Sequence, residues 1–335
     1  MSGPPLAVTL GDPAGIGPEI VGAAWKALRG TGPRFFAVGD AGAIVATGCA
    51  VRRIAAAKDA PDAFSDALPV LDVPLAGPVT PGQPASAAAP QVIAWIEQAV
   101  ALALAGEAGG VVTAPIAKAT LYQAGFAYPG HTEFVGALTA TTAMPGTRGP
   151  VMMLTARNLR VALVTVHAPL AHVPGLLTQA KIVAAGQVVA EALARDFGVA
   201  RPRLVVAGLN PHAGEGGAIG DEEVRIVAPA VAALRAAGID VRGPRPADSL
   251  FHDEARRTYD AALCLYHDQA LIPVKMLDFW GGVNLTLGLP IVRTSPDHGT
   301  AFDIAGKGLA RPDSLIAAIR LAHEIAERRA ALVAA

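Results

Sequence analysis

Three histidines each follow an apolar segment of the chain, and three imidazoles form a ligand set for a divalent metal. The segments 161–166, 204–209 and 261–266 are predicted to be buried strands, and the histidines behind them are His167, His212 and His267. Ligands of open parallel sheets bind beyond the carboxyl ends of the strands, so we expect the imidazoles to share one crevice. Three neutral imidazoles leave a coordination position open and favour zinc, cobalt or nickel over magnesium.

The alternative is that these are unrelated loop histidines, because separations of 45 and 55 residues match no compact ligand motif. For His212, inside the segment GLNPHAGEGG, a role as a turn residue or a phosphate contact also stays open.

Charged side chains in the apolar segment 266–306 indicate an anion pocket. Lys275 and Arg293, with Asn284 between them, are flanked by valine, leucine, isoleucine and proline. A cation in such surroundings is costly to bury unless an anion pairs with it. The alternative is that both cations extend from apolar stems to the surface. The loop 129-PGHTE-133 adds His131, a hydroxyl and a carboxylate, or else begins a helix capped by Thr132.

The glycine-rich loop 10-LGDPAGIGPE-19 lies between a predicted strand and a predicted helix, which is a common position for nucleotide binding. It matches neither the GxGxxG pattern nor the GK[ST] phosphate loop. The alternative is a plain helix start, because Pro18 and Glu19 suit a first helical turn.

The composition excludes several classes of protein. The 335 residues carry a net charge of −1, so no overall field attracts nucleic acid or an anionic membrane. Cys49 and Cys264 are too few for a disulfide framework, which fits a reducing cytoplasm. We expect no signal peptide and no membrane span, since the uncharged segment 73–96 is interrupted by prolines.

Apolar runs alternate with alanine-rich helical patterns, which predicts an α/β fold with a mostly parallel sheet and helices on both faces. The segment 61–90 is predicted to be a surface excursion because of its prolines. The predicted strands are 6–10, 35–39, 110–115, 150–155, 161–166, 204–209 and 261–266. The predicted helices are 18–29, 91–105, 176–197, 222–237 and 314–328.

The sequence resembles the 4-hydroxythreonine-4-phosphate dehydrogenase family of vitamin B6 biosynthesis almost end to end. The motifs that carry the resemblance are GDPAGIGPE (11–19), TAPIAK (113–118), GHTEF (130–134), GLNPHAGEGG (208–217), PADSLF (246–251), YHDQALIPVK (266–275) and VNLTLGLPIVRTSPDHGTAFDIAGKG (283–308). This resemblance implies two α/β/α domains like those of isocitrate and isopropylmalate dehydrogenases, with the active site in a cleft. We expect a cofactor-side domain at 1–130 plus 292–335 and a metal, substrate and dimerisation domain at 131–291.

The resemblance also implies the site residues. It places the metal on His167, His212 and His267, and the substrate on His131, Thr132, Lys275, Asn284 and Arg293. The segment 298–312 is similar to the loop that holds the adenosine of the cofactor in isopropylmalate dehydrogenase. Expected cofactor contacts are therefore Gly11, Asp12, His298, Asp303 and Gly306. Lys275, and less strongly Asp248, are the expected proton donors or acceptors.

The implied enzyme is a homodimer that uses NAD or NADP and a zinc, cobalt or magnesium ion, with its site at the subunit interface and His267 contributed by the partner chain. The implied reaction oxidises and decarboxylates 4-(phosphooxy)-L-threonine. Departures from the family at Ala117 and at 311–313 keep alternatives open. These are a paralogue acting on threonate or erythronate 4-phosphate or on a dihydrodiol, a metal-dependent hydrolase or phosphotransferase, and a metal-binding protein without catalysis.

Overall fold

A computed structural model describes residues 3–334, which form two compact units. Unit 1 contains the described residues up to Ala143 and those from Leu289 onward, and unit 2 is Met144–Gly288. The strands are β1 Leu6–Thr9, β2 Phe35–Gly39, β3 Val51–Ile54, β4 Leu68–Asp72, β5 Val111–Thr113, β6 Val151–Ala156, β7 Leu159–Leu163, β8 Arg203–Ala207, β9 Asp240–Arg245, β10 Ala261–Cys264, β11 Val283–Leu287 and β12 Arg293–Pro296. The α-helices are α1 Gly17–Leu28, α2 Ala41–Val45, α3 Ala60–Ala63, α4 Ala89–Leu104, α5 Lys118–Gln123, α6 His131–Leu138, α7 Val173–Leu176, α8 Gln179–Phe197, α9 Ala228–Ala236, α10 Asp253–Arg256, α11 His267–Leu277 and α12 Asp313–Ala334.

Unit 1 is built on six parallel strands in the order β3-β4-β2-β1-β5-β12. Helices α4 and α12 pack on this sheet, and α1 packs on α12. The central strands β1, β2 and β5 are buried along their whole length, as continuous apolar runs in a parallel sheet should be. Two fully buried tryptophans join helices to neighbouring backbone. Trp25 donates to Phe64 O at 2.8 Å, and Trp95 donates to Val73 O at 2.9 Å.

Unit 2 has a mixed sheet in the order β11-β6-β7-β10-β8-β9. The β11-β6 and β6-β7 pairs are antiparallel, and the pairs β7-β10, β10-β8 and β8-β9 are parallel. Helix α8 contributes its apolar side to the core, and it begins where Thr178 Oγ1 accepts from Lys181 N and ends at Gly198 in a left-handed conformation with φ 70°. Both devices satisfy backbone groups that a helix end leaves open. The parallel half of this sheet carries the histidine-bearing loops.

The structure confirms the predicted α/β class, and helices α1, α4 and α8 lie within three residues of the predicted bounds. Helix α9 begins six residues later than predicted, because the π-helical segment Glu223–Val227 precedes it, and α12 extends six residues beyond the predicted end. The prediction for segment 61–90 is wrong in its first part. Residues 60–63 form α3, and 68–72 form β4, which pairs with both β2 and β3 inside the sheet. Leu68, Pro69 and Val70 are buried, so apolar burial outweighs the backbone donor that Pro69 lacks.

The expected domain bounds also differ from the two units. Helix α6 with His131 and Thr132 lies in unit 1, not in the metal-carrying part of the chain. An aromatic cluster holds it there, because the ring centroid of Phe134 lies 4.9 Å from that of Phe126 and 5.1 Å from that of Tyr128. Three aromatic rings in contact bury a large apolar area in a short segment.

Among residues 3–334, one helical segment, Ser86–Leu104, has the length and hydropathy of a membrane span, and the pair Leu170–Leu176 and Gln179–Phe197, bent by 90°, meets the criteria only when taken as one span. Helix α4, the C-terminal part of Ser86–Leu104, packs on β1, β2 and β5, and Trp95, Ile96 and Ala99 are buried in unit 1. A core helix of a folded domain meets the same criteria of length and composition, and we interpret this segment as such a helix.

Candidate active site

The three histidines follow three strands that are neighbours in the sheet of unit 2. His167 follows β7, His267 follows β10 and His212 follows β8, and β10 lies between the other two with parallel pairing on both sides. Their carboxyl ends therefore meet at one edge of the sheet, where loops of α/β proteins bind ligands.

His167 and His267 lie side by side, with ring centroids 5.7 Å apart and an interplanar angle of 43°. His267 is the first residue of α11, and its Nδ1 lies 2.7 Å from Asp268 Oδ1. A carboxylate on Nδ1 fixes the imidazole orientation and leaves Nε2 for a ligand, as in many metal sites. Both rings border a cavity of about 280 Å³, whose lining residues are Val166, His167, Ala168, Leu170, Val173, Tyr266, His267 and Asp268.

Buried Gln269 connects the ends of β10 and β8. Its Oε1 accepts from Leu265 N and its Nε2 donates to Gly208 O, both at 2.7 Å. On the other side of β10, Thr165 Oγ1 donates to Leu265 O at 2.6 Å. The loops behind the three strands are thus tied by hydrogen bonds from buried side chains, which hold them more firmly than exposed loops are held.

His212 lies in a loop with unusual backbone conformation. His212, Ala213 and Glu215 have φ of 53°, 53° and 42°, a left-handed region that residues with a Cβ seldom occupy. Glu223, 2% exposed, holds the start of this loop by accepting from Leu209 N and Asn210 N, both at 2.7 Å. Strained loops held by buried groups are frequent at functional sites.

The structure brings together two of the three expected metal ligands. His212 does not border the cavity of His167 and His267, and among residues 3–334 no three His, Cys, Asp or Glu side chains are grouped closely enough to hold a metal ion. The His167–His267 pair forms within a single chain, whereas the expectation drew His267 from a partner. The structure thus places His167 and His267 side by side, with Asp268 against the His267 ring, and places His212 on the loop of the neighbouring strand.

The remaining expected residues of unit 2 occupy three different elements. Lys275 lies in the last turn of α11, with its Nζ 5.1 Å from the ring centroid of Phe279. Asn284 lies in β11, and its Oδ1 is enclosed and accepts no hydrogen bond from the described residues. Asp248 is exposed on the short 3-10 turn Ala247–Ser249, so nothing in its surroundings supports an acid–base role.

In unit 1, Arg293 is a buried cation at the start of β12. Its side chain is 3% exposed, and its Nη2 donates to Thr113 Oγ1 at 2.7 Å on the paired strand β5. Burial lowers the pKa of Arg293 to about 10, and the Glu133 carboxylate opposes that shift. Arg293 stays charged at neutral pH, and a buried guanidinium of this kind is suited to hold an anion.

His131, the first residue of α6, lies in the same electrostatic environment. Its Nε2 is enclosed and has no hydrogen-bond partner among the described residues. Burial, and then the positive charges of Arg293 and Lys118, hold the pKa of His131 well below its usual value. The imidazole is therefore neutral at physiological pH and is available to exchange a hydrogen bond with a ligand.

A cavity of about 590 Å³ in unit 1 lies beside the two glycine-rich segments. Pro13, Gly15, Pro18, Glu19, Lys26, Gly306 and Gly308 are among its lining residues. The segments adjoin through a bond from Ile16 N to Thr300 O at 3.0 Å and one from Gly306 N to Glu19 Oε1. Cavities of a few hundred cubic ångströms are typical of small-molecule sites.

Of the expected cofactor residues, Gly306 alone lines this cavity. Asp12 is buried and organises its own loop by accepting from Ala14 N at 3.0 Å, and burial raises the pKa of its carboxyl. Gly11, with φ 68°, lies against the backbone of residues 114–115. His298 has an enclosed Nε2 without a partner in the described chain, and Asp303 is exposed.

The comparison with known proteins decides the family. A model of the family described as "Pyridoxal phosphate biosynthetic protein PdxA" matches residues 34–322. The chain belongs to the PdxA family. It is 62% identical to a 4-hydroxythreonine-4-phosphate dehydrogenase of Caulobacter vibrioides, over 98% of this chain and 99% of that protein. It is accordingly an enzyme, an oxidoreductase of pyridoxine biosynthesis.

Solved structures that resemble this PdxA family member include two dehydrogenases of different names. A 4-hydroxythreonine-4-phosphate dehydrogenase from Klebsiella pneumoniae superposes with a TM-score of 0.85 at 43% identity, covering 97% of this chain and 98% of that one. A terephthalate 1,2-cis-dihydrodiol dehydrogenase from Burkholderia xenovorans has a TM-score of 0.63 at 31% identity, covering 96% and 98%. This chain therefore shares the fold of the Klebsiella pneumoniae dehydrogenase over nearly its whole length.

Sequence reasoning missed three residues of this PdxA family member that hold its site together. Gln269 and Glu223 are buried polar side chains whose bonds reach backbone far along the chain, and Lys118 acts on the imidazole of His131. Gln269 belongs to the YHDQ motif and Lys118 to the TAPIAK motif, and membership of these family motifs could have indicated both residues. Glu223 offered no such signal, because an acidic residue near a helix start is usually solvated.

Proposed function

We propose that this enzyme oxidises 4-(phosphooxy)-L-threonine with NAD or NADP. Hydride leaves the hydroxyl-bearing carbon for the nicotinamide, and the resulting 2-amino-3-oxo-4-(phosphooxy)butanoate loses CO2 to give 3-amino-2-oxopropyl phosphate. The observation that carries the proposal is the 62% identity, over nearly the full length of both chains, to a dehydrogenase named for this substrate.

The substrate is held by the residues that the motifs predicted. Arg293 binds one anionic end through a guanidinium that is buried and charged. His131 and Thr132, at the start of α6, supply a neutral imidazole and a hydroxyl beside it. Lys275 and Asn284 of unit 2 contribute a cation and an enclosed amide oxygen, which suits the ammonium or hydroxyl of an amino acid.

A divalent metal (zinc, cobalt or magnesium) would be held by His167, His267 and His212. The fit rests on the paired imidazoles, on the carboxylate that orients one of them, and on the loop of His212 at the adjacent strand end. When bound, such an ion lowers the pKa of the substrate hydroxyl and polarises the ketone before decarboxylation. Gln269 and Thr165 keep the strand-end loops in register for this set.

Proton transfer is assigned to Lys275. It carries the only ammonium among the expected substrate residues of unit 2, and its Nζ lies 5.1 Å from the ring centroid of Phe279. Asp248 is the second candidate, although its exposure favours Lys275. A general acid or base must reach the reacting hydroxyl directly or through one water.

The cofactor is assigned to the cavity of unit 1 between the two glycine-rich segments. Small residues at Gly15, Gly306 and Gly308 allow a ligand to approach the backbone closely. His298 supplies an enclosed ring nitrogen in the same segment, while Gly11 and Asp12 shape the first loop rather than contacting the ligand. The enzyme acts as a homodimer in the cytoplasm.

The test is a substrate panel. Formation of reduced nicotinamide is followed with NAD and with NADP, on 4-phosphooxy-threonine and on the 4-phosphates of threonate and erythronate, and on a cis-dihydrodiol. We expect the highest kcat/KM on the amino acid. A higher kcat/KM on a sugar-acid phosphate or on the diol would overturn the substrate assignment, and no reduction of either cofactor by any substrate would overturn the dehydrogenase mechanism.

A further inference from the structure

Lys118 is a cation of unit 1 that the substrate set described above does not include. It is the first residue of α5 and follows the segment that leaves β5 at Thr113, the residue that accepts from Arg293. The chain then returns through the aromatic turn at Phe126 and Tyr128 to His131. Lys118 and Arg293 thus reach the start of α6 from two different elements.

The side chain of Lys118 passes directly over Gly130. A methyl group built on Gly130 would lie 3.5 Å from Lys118 Cε and 3.7 Å from its Nζ, and 3.5 Å from Glu133 Oε2. The ammonium therefore lies close to the backbone that presents His131 and Thr132, at a distance that one added methyl group would span.

Both cations act on the imidazole of His131. Its pKa is lowered by burial and, in addition, by the charges of Arg293 and Lys118. Its Nε2 is enclosed yet bonded to nothing in the described chain. Glu133 is the carboxylate that opposes the pKa shift of Arg293. An anion bound beside both cations would be stabilised by both charges.

We propose that Lys118 is a further anion-binding residue, which together with Arg293 holds the phosphate group of the substrate. The cluster offers hydrogen-bond donors from Arg293, Lys118, His131 and Thr132. A phosphate group presents three oxygens to these donors, whereas a carboxylate presents two, so the cluster suits a phosphate better. The identity of the phosphate as part of the substrate rests on the proposed function, but binding of inorganic phosphate at this cluster does not.

The experiment measures binding of inorganic phosphate by calorimetry to the full-length protein at constant ionic strength. Lys118→Met removes the charge, Lys118→Arg keeps it, and Lys58→Met removes a charge from an exposed turn of the same unit. We expect Lys118→Met to weaken phosphate binding by about tenfold or more, and Lys118→Arg and Lys58→Met to stay within about threefold of the unaltered protein.

A second readout is the titration of His131 by NMR, which a merely structural lysine would not move. Because Lys118→Met removes a nearby cation, we expect the pKa of His131 to be higher in this variant than in Lys58→Met. In the unaltered protein, we expect the pKa of His131 to rise when phosphate is added, since a bound anion favours the protonated imidazole. If the titration of His131 is the same in Lys118→Met as in the unaltered protein, Lys118 does not act on the imidazole and the inference is overturned.

The outcomes separate this inference from the proposed function. Phosphate binding unaffected by Lys118→Met overturns the inference even if 4-phosphooxy-threonine is oxidised. Acetate binding as tightly as phosphate and with the same dependence on Lys118 would overturn the phosphate assignment. A loss of phosphate binding specific to Lys118→Met supports the inference even if the enzyme oxidises another phosphorylated substrate.

Discussion

The imidazole rings of His167 and His267 lie 5.7 Å apart within one chain, although a hundred residues separate them in the sequence. The strands β7 and β10 that carry them are neighbours, so the pair is a direct product of the parallel pairing between Val161–Leu163 and Ala262–Cys264. Two of the three proposed metal ligands are therefore brought together by the strand order.

Replacing either ring should weaken metal binding. We expect His167→Ala and His267→Ala each to raise the Kd for Zn²⁺ by more than about tenfold, since loss of a ligand costs at least as much as loss of a residue that orients one. Competition with a chromogenic chelator measures the Kd. His323→Ala, on the side of α12 next to Glu327, is the matched control. Equal Zn²⁺ affinity in all three variants would refute the site.

The hydrogen bonds of buried Gln269 should contribute to the stability of unit 2. Gln269→Glu has nearly the same shape but turns a carboxylate oxygen toward Gly208 O, where Nε2 now donates. Leaving that carbonyl unpaired beside a buried charge should cost about 2–3 kcal/mol in the free energy of unfolding. Denaturant unfolding measures it.

Gln179→Glu makes the same change on the exposed start of α8 and is the control. We expect its unfolding free energy to change by less than about 0.5 kcal/mol. The account of Gln269 fails if the two variants unfold at the same denaturant concentration.

The depressed pKa of His131 predicts a loss of stability in acid. Its pKa in the folded protein lies below the unfolded value, so the unfolded chain binds the proton more readily. The stabilisation is then fully present above about pH 6.5 and declines below it, by at most about 1.4 kcal/mol per pH unit. Unfolding of the unaltered protein and of His131→Gln from pH 7.5 to 5 measures the difference.

We expect His131→Gln to lose less stability over that range, because glutamine does not titrate. His323→Gln, which removes a partly exposed histidine, should follow the unaltered protein. If the free energy of unfolding varies with pH in the same way for His131→Gln and the unaltered protein, the pKa of His131 is not depressed in the folded state, and the prediction is wrong.

A shared dimer site predicts complementation between inactive variants. His131 lies in unit 1 and His267 in unit 2, so a site that draws one unit from each subunit would leave one intact site in a dimer of His131→Ala with His267→Ala. Mixed subunits should then recover roughly a quarter of the unaltered activity, because half of the dimers are mixed and each has one intact site. Activity after refolding the variants together measures this. Continued inactivity of the mixture would mean that each site is formed within one chain.

The sequence was informative where one residue's type and local neighbours decide the outcome. Apolar runs predicted the strands that carry the histidines, and an isolated arginine in apolar sequence predicted the buried cation Arg293. The strand-end pattern predicted that the three imidazoles share one crevice, and the structure brings His167 and His267 together but leaves His212 outside their cavity. The course of the His212 loop depends on long-range contacts such as those of Glu223, which the local sequence does not reveal.

Two errors have the same origin. Pro69 indicated a surface segment, but burial between β2 and β3 placed it in a strand inside the sheet. His131 was assigned to the metal-carrying domain, but Phe134, three residues further on, packs on Phe126 of unit 1. In both cases tertiary packing outweighed a local preference.

The most direct test is turnover of metal-depleted protein with 4-phosphooxy-threonine, measuring reduced nicotinamide and released CO2 together. We predict no reduction of NAD or NADP before a divalent cation is added. After the addition, one CO2 should be released for each nicotinamide reduced. Undiminished turnover by protein shown to contain no metal, or cofactor reduction without release of CO2, would contradict the metal-dependent oxidative decarboxylation proposed for this enzyme.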